Sequence, residues 1–434
     1  MNRLLFLFFC FPFFLFSQNW NQIGLDIDAE HRDDYNGYSV SYSDDGNRLA
    51  IGAIQNDNIQ GNGAGSNYIG HVRIFENING NWVQVGQDID GTSGVYEFFG
   101  SSVSLSSDGN IVAIGAPFIA PGSPSYGAGL VRVYEFDGTN WNQRGSDILA
   151  SGGSTGYSVD VSDDGRKVIV GSPNWNSNNG SVRIYDWNDN ILIWEELFTF
   201  DGTGGQMAGH SVSINGDATV YAFGSKNGCS GRGCVDVYYN NGVAIIPMGT
   251  TISGYTGGDA FGYSVSLSND GNRIAAGAKN NDGNGVGTYT GLTVVYQFIS
   301  GPMGGWSQLG GDIVGESIGD AFGYSVSLSN DGNKLAVGAP QNDGNGNNSG
   351  HVRIFELSNS SWNQISQDID GEYQENQSGH SVSLSGDGSK VAIGAPNNCD
   401  EYPCVYSGNM YLQGHVRAYT NIVPVNGCTD STAL

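Results

Sequence analysis

The chain of 434 residues is poor in basic side chains. It has 17 Lys and Arg against 43 Asp and Glu, which gives a net charge of −26. Binding to nucleic acid or to an anionic membrane surface depends on clustered positive charge, so the sequence argues against both kinds of partner. Charged residues make up only 14% of the chain, which excludes the highly charged type of disordered protein. After residue 17, no stretch approaches the roughly 18 apolar residues of a membrane-spanning helix.

The longest apolar run lies at the N-terminus. Met1–Arg3 is a short basic segment, Leu4–Phe16 is apolar, and Ser17 offers a small residue before polar sequence begins. This order is typical of a signal peptide, and the run is too short to cross a bilayer as a helix. We therefore predict a signal peptide over residues 1–17 and a mature protein that is secreted or displayed at the cell surface. A membrane anchor is the alternative.

Cysteine is also rare, and four of the 6 cysteines form two closely spaced pairs. In an exported protein such pairs are expected to close small loops, so we predict the disulfide bonds Cys229–Cys234 and Cys399–Cys404. A zinc site made from both pairs is the alternative, although 165 residues separate them.

Glycine, in contrast, is abundant, with 68 residues, and it accompanies a repeat. The tripeptide Ser-Val-Ser or a close variant recurs about every 57 residues, with its Val at positions 40, 103, 159, 212, 265, 326 and 382. Seven copies at a regular spacing are typical of a solenoid or a propeller.

Each repeat contains four short β segments. The clearest copy includes Ser325-Val-Ser-Leu-Ser329, Leu335-Ala-Val-Gly-Ala339 and Val352-Arg-Ile-Phe355. The first and third alternate with period two, as half-buried strands do, whereas the second suits a strand that is covered on both faces. Asp331-Gly332 predicts a tight turn between the first two strands. A Trp-x-Gln segment supplies the fourth strand.

The ends of the repeat region distinguish a ring from an open solenoid. Trp20-Asn-Gln-Ile-Gly24 is a fourth-strand segment that precedes the first copy, whereas the last copy ends at Tyr419 without one. Seven first strands match seven fourth strands only if the chain closes on itself, which also removes exposed sheet edges. We predict an all-β, seven-bladed β-propeller of four-stranded blades over residues 18–423, closed by the N-terminal strand.

The Phe-Gly-Tyr-Ser-Val-Ser and Leu-Ala-Val-Gly-Ala-Pro elements resemble the FG-GAP repeat of integrin α-subunit propellers and their secreted bacterial relatives. The matching segments are Phe99-Gly100, Phe261-Gly262, Phe322-Gly323, Gly115-Ala-Pro117, Gly338-Ala-Pro340 and Gly394-Ala-Pro396. The resemblance implies calcium loops between the first and second strands. Here, however, the run Ser327–Leu335 lacks the first and the last carboxylate of that pattern, and Ca²⁺ requires six to eight oxygen ligands. We therefore transfer none of these sites, and no cofactor is assigned.

Residues 424–434 resemble the opening of a small Cys-containing repeat found near the ends of secreted Bacteroidetes-type proteins. The expected second cysteine of that repeat has no counterpart after Cys428. We interpret the segment as the start of a truncated C-terminal unit.

The acidic residues are concentrated in other loops. In a propeller, the connections between blades and the loops between second and third strands emerge on one face, and both are rich in Asp and Asn here. We expect this face to be strongly negative. A weak Ca²⁺ site on it would use Asp312, Glu316, Asp320 and Asp343. The alternative is that these residues form turns and solvate the loops.

The longest loops between second and third strands belong to blades 7 and 1, which are neighbours in a closed ring. Long loops on a rigid scaffold commonly carry binding sites. We predict a recognition patch where blades 7, 1 and 2 meet, built from tyrosines that offer an apolar ring and a hydroxyl group: Tyr68, Tyr126, Tyr402, Tyr406 and Tyr411. Loop-length variation without function is the alternative.

The sequence shows no catalytic constellation. The Ser-Val-Ser serines lack a nucleophile-elbow context, and His71, His351 and His415 occupy one repeat position on different blades, which indicates packing. We predict a monomeric, non-catalytic, secreted or surface propeller that mediates adhesion or binds an extracellular protein or glycan through its acidic loop face. The alternatives are a hydrolase or lyase that acts on polysaccharides and a structural surface-coat protein.

Overall fold

The structure is a computed structural model that describes residues 19–56, 68–92, 96–118, 127–149, 152–282, 289–301, 304–399 and 412–422, together with the backbone of 405–406 and 409–410. The described chain forms seven antiparallel sheets arranged as blades in a ring. The predicted all-β, seven-bladed propeller is therefore confirmed. None of the helices in the described residues is long and apolar enough to span a membrane.

Each blade is a four-stranded sheet whose first strand is innermost, followed outward by the second, third and fourth. The first strands contain the Ser-Val-Ser segments or their variants and are Asn36–Tyr42, Ser102–Leu105, Ser158–Val161, Ala208–Ile214, Ser264–Leu267, Ser325–Leu328 and Ser381–Leu384. The second strands are almost entirely buried and are Arg48–Ala53, Ile111–Ala116, Lys167–Ser172, Val220–Ser225, Arg273–Ala278, Lys334–Ala339 and Lys390–Ala395.

The third and fourth strands, at the two outer positions of each blade, are longer or more exposed than the inner two. The third strands are His71–Ile78, Leu130–Phe136, Ser181–Asn188, Cys234–Asn240, Leu292–Ile299, His351–Ser358 and His415–Ile422. The fourth strands of blades 1 to 6 are Asn81–Gln84, Trp141–Gln143, Ile193–Asp201, Ile245–Pro247, Gly305–Gln308 and Ser361–Gln364. A two-residue strand also pairs with the third strand in every blade except blade 3: Ile89–Asp90, Ile148–Leu149, Ile252–Ser253, Ile313–Val314, Ile369–Asp370 and Ile27–Asp28.

The outermost strand of blade 7 comes from the other end of the chain. Asn19–Gln22 pairs antiparallel with His415–Ile422, with Gln22 opposite Tyr419. The remaining elements are a small hairpin of Val405–Tyr406 and Asn409–Met410 and two helical turns, Trp175–Asn178 and Gly228–Gly231.

The blades are joined by a complete ring of hydrogen bonds around the axis. One serine near the start of each first strand donates its hydroxyl to a glycine carbonyl of the next blade, at 2.7 to 3.0 Å. The pairs are Ser39 with Gly100, Ser102 with Gly156, Ser158 with Gly209, Ser211 with Gly262, Ser264 with Gly323, Ser325 with Gly379 and Ser381 with Gly37. The repeated serine and glycine therefore hold neighbouring blades together.

A second closed ring consists of backbone groups only, at the turns between first and second strands. Each amide donates to the carbonyl of the next residue in the series, at 2.8 to 3.1 Å, and the last donates to the first: Asp44, Ser107, Asp163, Gly216, Asn269, Asn330 and Gly386. The carboxylate of the following Asp-Gly turn accepts from a serine hydroxyl and a backbone amide, as Asp331 does from Ser329 and Asn333. These aspartates therefore serve as turn formers.

The glycine of each second strand allows the blades to approach closely. A Cβ atom at Gly277 would lie 2.0 Å from the carbonyl oxygen of Gly323 in the next blade, and the equivalent distances in the other blades are similar. The apolar core accordingly divides into clusters between adjacent blades. In one of them, Ala50 and Val72 of blade 1 pack with Val103 and Val112 of blade 2.

Candidate functional site

We call the side of the propeller formed by the blade-to-blade connections and by the loops between second and third strands the loop face. Its connections and loops are tied together by a repeated Asp–Asn contact. Asp320, in the connection into blade 6, is buried and accepts hydrogen bonds from the Ser317 amide at 2.8 Å and from Asn342 Nδ2 at 3.1 Å. The equivalent pairs are Asp34 with Asn56 and Asp259 with Asn281. The loops therefore present a firmly held surface.

Four aromatic side chains meet on the loop face between blades 1 and 2, and we call Tyr68, Tyr96, Phe98 and Phe118 the aromatic cluster. The Tyr68 ring stacks on Phe98 with a centroid separation of 5.6 Å and lies 5.4 Å from Tyr96. Phe98 contacts Phe118 edge-to-face at 5.2 Å. Tyr96 and Phe118 are 39% and 41% exposed, so the cluster presents aromatic surface to solvent.

The backbone of the aromatic cluster is in an unusual conformation. Tyr68, Tyr96 and Phe98 have φ angles of 45°, 54° and 51°, in the left-handed region that bulky residues rarely adopt. The Phe98 amide donates to the Tyr68 carbonyl at 3.0 Å, which fixes the two segments against each other. The position of Phe98 has positive φ in the other blades too, so this conformation belongs to the repeat and not to the cluster alone.

The structure places the predicted recognition tyrosines as follows. Tyr68 belongs to the aromatic cluster. Tyr126, Tyr402 and Tyr411 lie outside the described residues, and Tyr406 is described only as backbone in the small hairpin.

Three members of the aromatic cluster were missed from the sequence. Phe98 occupies the position directly before the Phe-Gly dipeptide, where the described blades all have positive φ. That position is Tyr35 in blade 1 and Phe98 in blade 2 but Ser, Met, Ala, Ala and Gln in the others. A comparison of the seven repeats at this position could have identified the site from the sequence.

Three of the four predicted calcium ligands accept hydrogen bonds from neighbouring groups. Asp312 accepts hydrogen bonds from the Tyr255 hydroxyl at 2.9 Å and from Gln308 Nε2 at 2.8 Å. Asp343 accepts from the amide of Asn348 at 2.8 Å. With Asp320 used in the Asp–Asn contact, only Glu316 lies beside groups that suit a metal, within the described residues.

An arc of six aromatic side chains lines the propeller axis at the start of the first strands. Neighbouring rings have centroid separations of 4.4 to 5.1 Å, in the order Tyr157, His210, Tyr263, Tyr324, His380 and Tyr38. Blade 2 has Ser101 at this position.

Both histidines of this arc are neutral. His210 Nδ1 lies 3.0 Å from the Tyr263 carbonyl, so it carries the proton, and Nε2 accepts from the Tyr157 hydroxyl at 3.3 Å. Burial lowers the pKa of His210 to about 3 and that of His380, which has the same arrangement, to about 4. The arc is therefore a hydrogen-bonded structural element near neutral pH.

One position on the axis carries a buried carboxyl group. Asp160 replaces the last serine of the Ser-Val-Ser tripeptide and accepts hydrogen bonds from the Ser104 hydroxyl at 2.7 Å and the Ile214 amide at 2.9 Å. In blade 4, the serine at this position, Ser213, accepts from the next blade's Leu267 amide at 3.1 Å. Burial raises the pKa of Asp160 to about 6 despite these hydrogen bonds.

The cysteine prediction requires a correction. Cys229 and Cys234 are both free in the structure, so the predicted Cys229–Cys234 disulfide is not formed. Cys229 lies at positive φ in the turn Gly228–Gly231, and this turn places it in contact with Cys234 without a covalent link. Burial and that contact raise the pKa of Cys234. Cys399 is disulfide-bonded, and its predicted partner Cys404 lies outside the described residues.

Seven four-stranded blades, joined through the serine–glycine ring, define the class of this protein as a β-propeller. Residues 316–355 match the family model described as FG-GAP repeat. Together with the seven-bladed ring, this match to one of the seven repeats supports the similarity of the chain to FG-GAP, integrin-like propellers.

No curated protein matches the chain. Among solved structures 645 chains match, so the architecture is widespread and does not by itself indicate an activity. One of them is the hydrazine synthase of Kuenenia stuttgartiensis, with 13% identity, a TM-score of 0.51 and coverage of 86% of this chain and 94% of that chain. At this identity the similarity shows the fold alone.

Proposed function

We propose that this protein is a secreted or surface-displayed binding module, without chemistry of its own, that mediates adhesion or recognition of an extracellular glycan through its loop face. The observation that supports the proposal best is the aromatic cluster. It combines exposed rings with two loop segments that are held together by the hydrogen bond from the Phe98 amide to the Tyr68 carbonyl. Preformed surfaces of this kind bind without a large ordering cost.

A glycan fits the cluster better than an apolar protein surface does. The C–H face of a sugar ring packs on an exposed aromatic ring, and its hydroxyls hydrogen-bond carboxylate and amide groups. Tyr96 and Phe118 provide two exposed rings, and acidic and amide side chains are abundant in the surrounding loops. The net charge of −26 favours a neutral glycan over an acidic one.

The test is a glycan and protein array probed with the purified chain, followed by affinity measurements on variants. We expect binding to a neutral glycan without turnover, and Tyr96→Ala with Phe118→Ala should weaken it at least tenfold. The matched control is Tyr239→Ala, which removes a tyrosine that is 41% exposed on a third strand, and it should leave the affinity unchanged. Binding only to proteins, cleavage of the glycan, or full affinity in the double variant would each contradict the proposal.

A further inference from the structure

The third strands of blades 1, 6 and 7 each begin with a buried histidine, and each histidine lies against two carboxylates. The aspartate directly precedes the two-residue strand that pairs with the third strand of the same blade. The glutamate comes from the connection that enters the blade. We call these groups the His–acid trios: Glu30, His71 and Asp88; Glu316, His351 and Asp368; Glu372, His415 and Asp26. In each trio, one potential ligand atom per residue lies within 4.8 Å of the other two.

The Nδ1 atom of the imidazole faces the carboxylates in all three trios. It lies 3.4 Å from Asp368 in the blade 6 trio and 3.2 Å from Asp26 in the blade 7 trio. In the blade 1 trio His71 Nδ1 lies 3.8 Å from Glu30. Nitrogen and oxygen ligands bound at about 2.0–2.1 Å to a tetrahedral ion are separated by about 3.4 Å. The side chains therefore lie close to ligand positions before any ion binds.

The blade 1 trio also contains a buried polar side chain without a partner. His71 is 0% exposed, and among the described residues neither of its ring nitrogens has a hydrogen-bond partner. Buried polar groups are nearly always hydrogen-bonded, because an unsatisfied one costs about 1–3 kcal/mol. An ion bound to Nδ1 would satisfy one of the two nitrogens and neutralise the carboxylates.

Blade 2 provides a comparison within the molecule, because it has no histidine here and its glutamate comes from another position of the connection. Glu97 lies two residues before Phe99, where blades 1 and 6 have Asp34 and Asp320. Leu130 occupies the histidine position, and Arg132 pairs with Glu97 at 2.9 Å and with Asp147 at 3.0 Å. The positive charge of this one arginine lies against the negative charges of both carboxylates.

In the three blades with histidine, the equivalent arginine is directed elsewhere. Arg73, Arg353 and Arg417 donate to the main-chain carbonyls of Asp28, Val314 and Asp370, at 2.7, 3.1 and 2.6 Å. Their guanidinium nitrogens form only long ion pairs with the trio acids, at 3.7 to 3.9 Å from the glutamates and, for Arg353, 3.9 Å from Asp368. Unlike Arg132, they make no short contact with these carboxylates.

We propose that each His–acid trio binds one divalent transition-metal ion, with Zn²⁺ the best match, through His Nδ1 and one oxygen from each carboxylate. One imidazole with two carboxylates suits Zn²⁺, whereas Ca²⁺ requires six to eight oxygen ligands. A bound ion would fasten each connection to the blade that it enters. The three sites lie at the successive junctions of blades 5 and 6, 6 and 7, and 7 and 1.

The experiment measures metal stoichiometry in the purified chain after chelation and dialysis. Cys229→Ser with Cys234→Ser is used as the background, because the free thiols are themselves ligands for zinc. Calorimetric titration with Zn²⁺, and elemental analysis of the loaded protein, should give three equivalents, and Ca²⁺ at the same concentration should give none. Absence of Zn²⁺ binding in this background would overturn the proposal.

Substitutions then assign the sites. His71→Leu, His351→Leu and His415→Leu introduce the residue that blades 2 and 5 have at this position, and each should remove one equivalent. The matched control is His210→Tyr. It replaces another buried histidine by the tyrosine that four other blades have at the same position, and it should retain all three equivalents of Zn²⁺. Three equivalents in the triple leucine variant would contradict the assignment.

A second set of variants avoids the buried positions altogether. Glu30→Gln, Glu316→Gln and Glu372→Gln change side chains that are 35%, 46% and 37% exposed, so the fold should be retained. Combined, they should weaken Zn²⁺ binding at least tenfold at all three sites. Unchanged affinity would rule out the trios as the ligands.

Discussion

The Ser381 hydroxyl donates a 2.9 Å hydrogen bond to the carbonyl oxygen of Gly37, 344 positions earlier in the chain. This contact joins blade 7 to blade 1 in the same geometry as the six other serine–glycine contacts. The ring is therefore closed by the interaction that links every other pair of blades, and four quantitative predictions follow from this arrangement and from the buried groups near it.

Removal of residues 20–24 should lower the thermal unfolding midpoint by several degrees. The deletion leaves the third strand of blade 7 without its outer neighbour and takes Trp20 away from the apolar cluster that contains Val352. Circular dichroism during heating measures the midpoint, and removal of residues 424–434 is the control for chain length. An unchanged midpoint in the first deletion would show that the N-terminal strand does not stabilise the ring.

Gly277→Ala should destabilise the protein by about 2–3 kcal/mol, because the new Cβ would lie 2.0 Å from the carbonyl oxygen of Gly323. Gly257→Ala is the matched control, since no described residue lies within 4 Å of the added Cβ and its φ is not positive. It should change the free energy of unfolding by less than about 0.5 kcal/mol. Urea unfolding compares the two. Equal effects would mean that close approach between blades is not what requires glycine.

Asp160→Ser should alter how stability depends on pH. The folded-state pKa of about 6 lies above the ordinary 3.8, so the folded protein holds this proton more tightly than the unfolded chain does. The contribution of the Asp160 carboxyl group to the free energy of unfolding is fully present below its unfolded-state pKa of about 4. It is lost as the pH rises through about 6.

The stability of Asp160→Ser relative to the natural protein should therefore increase by about 2 kcal/mol between about pH 4 and pH 7. Urea unfolding at a series of pH values measures the difference, and subtraction removes the contribution of histidines common to both proteins. A difference that is constant with pH would show that the carboxyl group keeps an ordinary pKa.

Arg132→Met should cost about 3–5 kcal/mol of unfolding free energy, because it leaves the buried carboxylate of Glu97 without its cationic partner. Arg166→Met is the control. Arg166 pairs with Asp189 on the surface, where the two side chains are 41% and 58% exposed, and its loss should cost no more than about 1 kcal/mol. Similar losses in both variants would indicate that the Arg132 pair is not effectively buried.

The sequence was sufficient to predict the architecture because each repeat specifies its own local structure. The alternation in Ser-Val-Ser-Leu and the Asp-Gly turn define one hairpin at a time, and seven copies then define the ring. Only Tyr68 of the exposed aromatic cluster was predicted. Phe98 would have required a comparison of the seven repeats at its position, and the ring contacts join a loop of blade 1, the connection into blade 2 and a loop of blade 2.

The roles of individual acidic residues were also not predictable from the sequence. Asp320 belonged to a predicted calcium set, yet it is buried against Asn342, a contact that forms only when two loops of one blade fold together. His415 and Asp26 lie near opposite ends of the chain and meet only once blade 7 is assembled. Interpreting each histidine as packing therefore missed the carboxylates beside it.

The pairing of Asn19–Gln22 with His415–Ile422 also constrains biosynthesis. Blade 7 is composed of the segment that a ribosome makes first among the described residues and the segment that it makes last. Six blades can form in order while the chain is still growing, but the seventh must wait for its final strand. Until then the nascent protein is an open arc with two unprotected ends, and it is in this interval that a chaperone would be of most use.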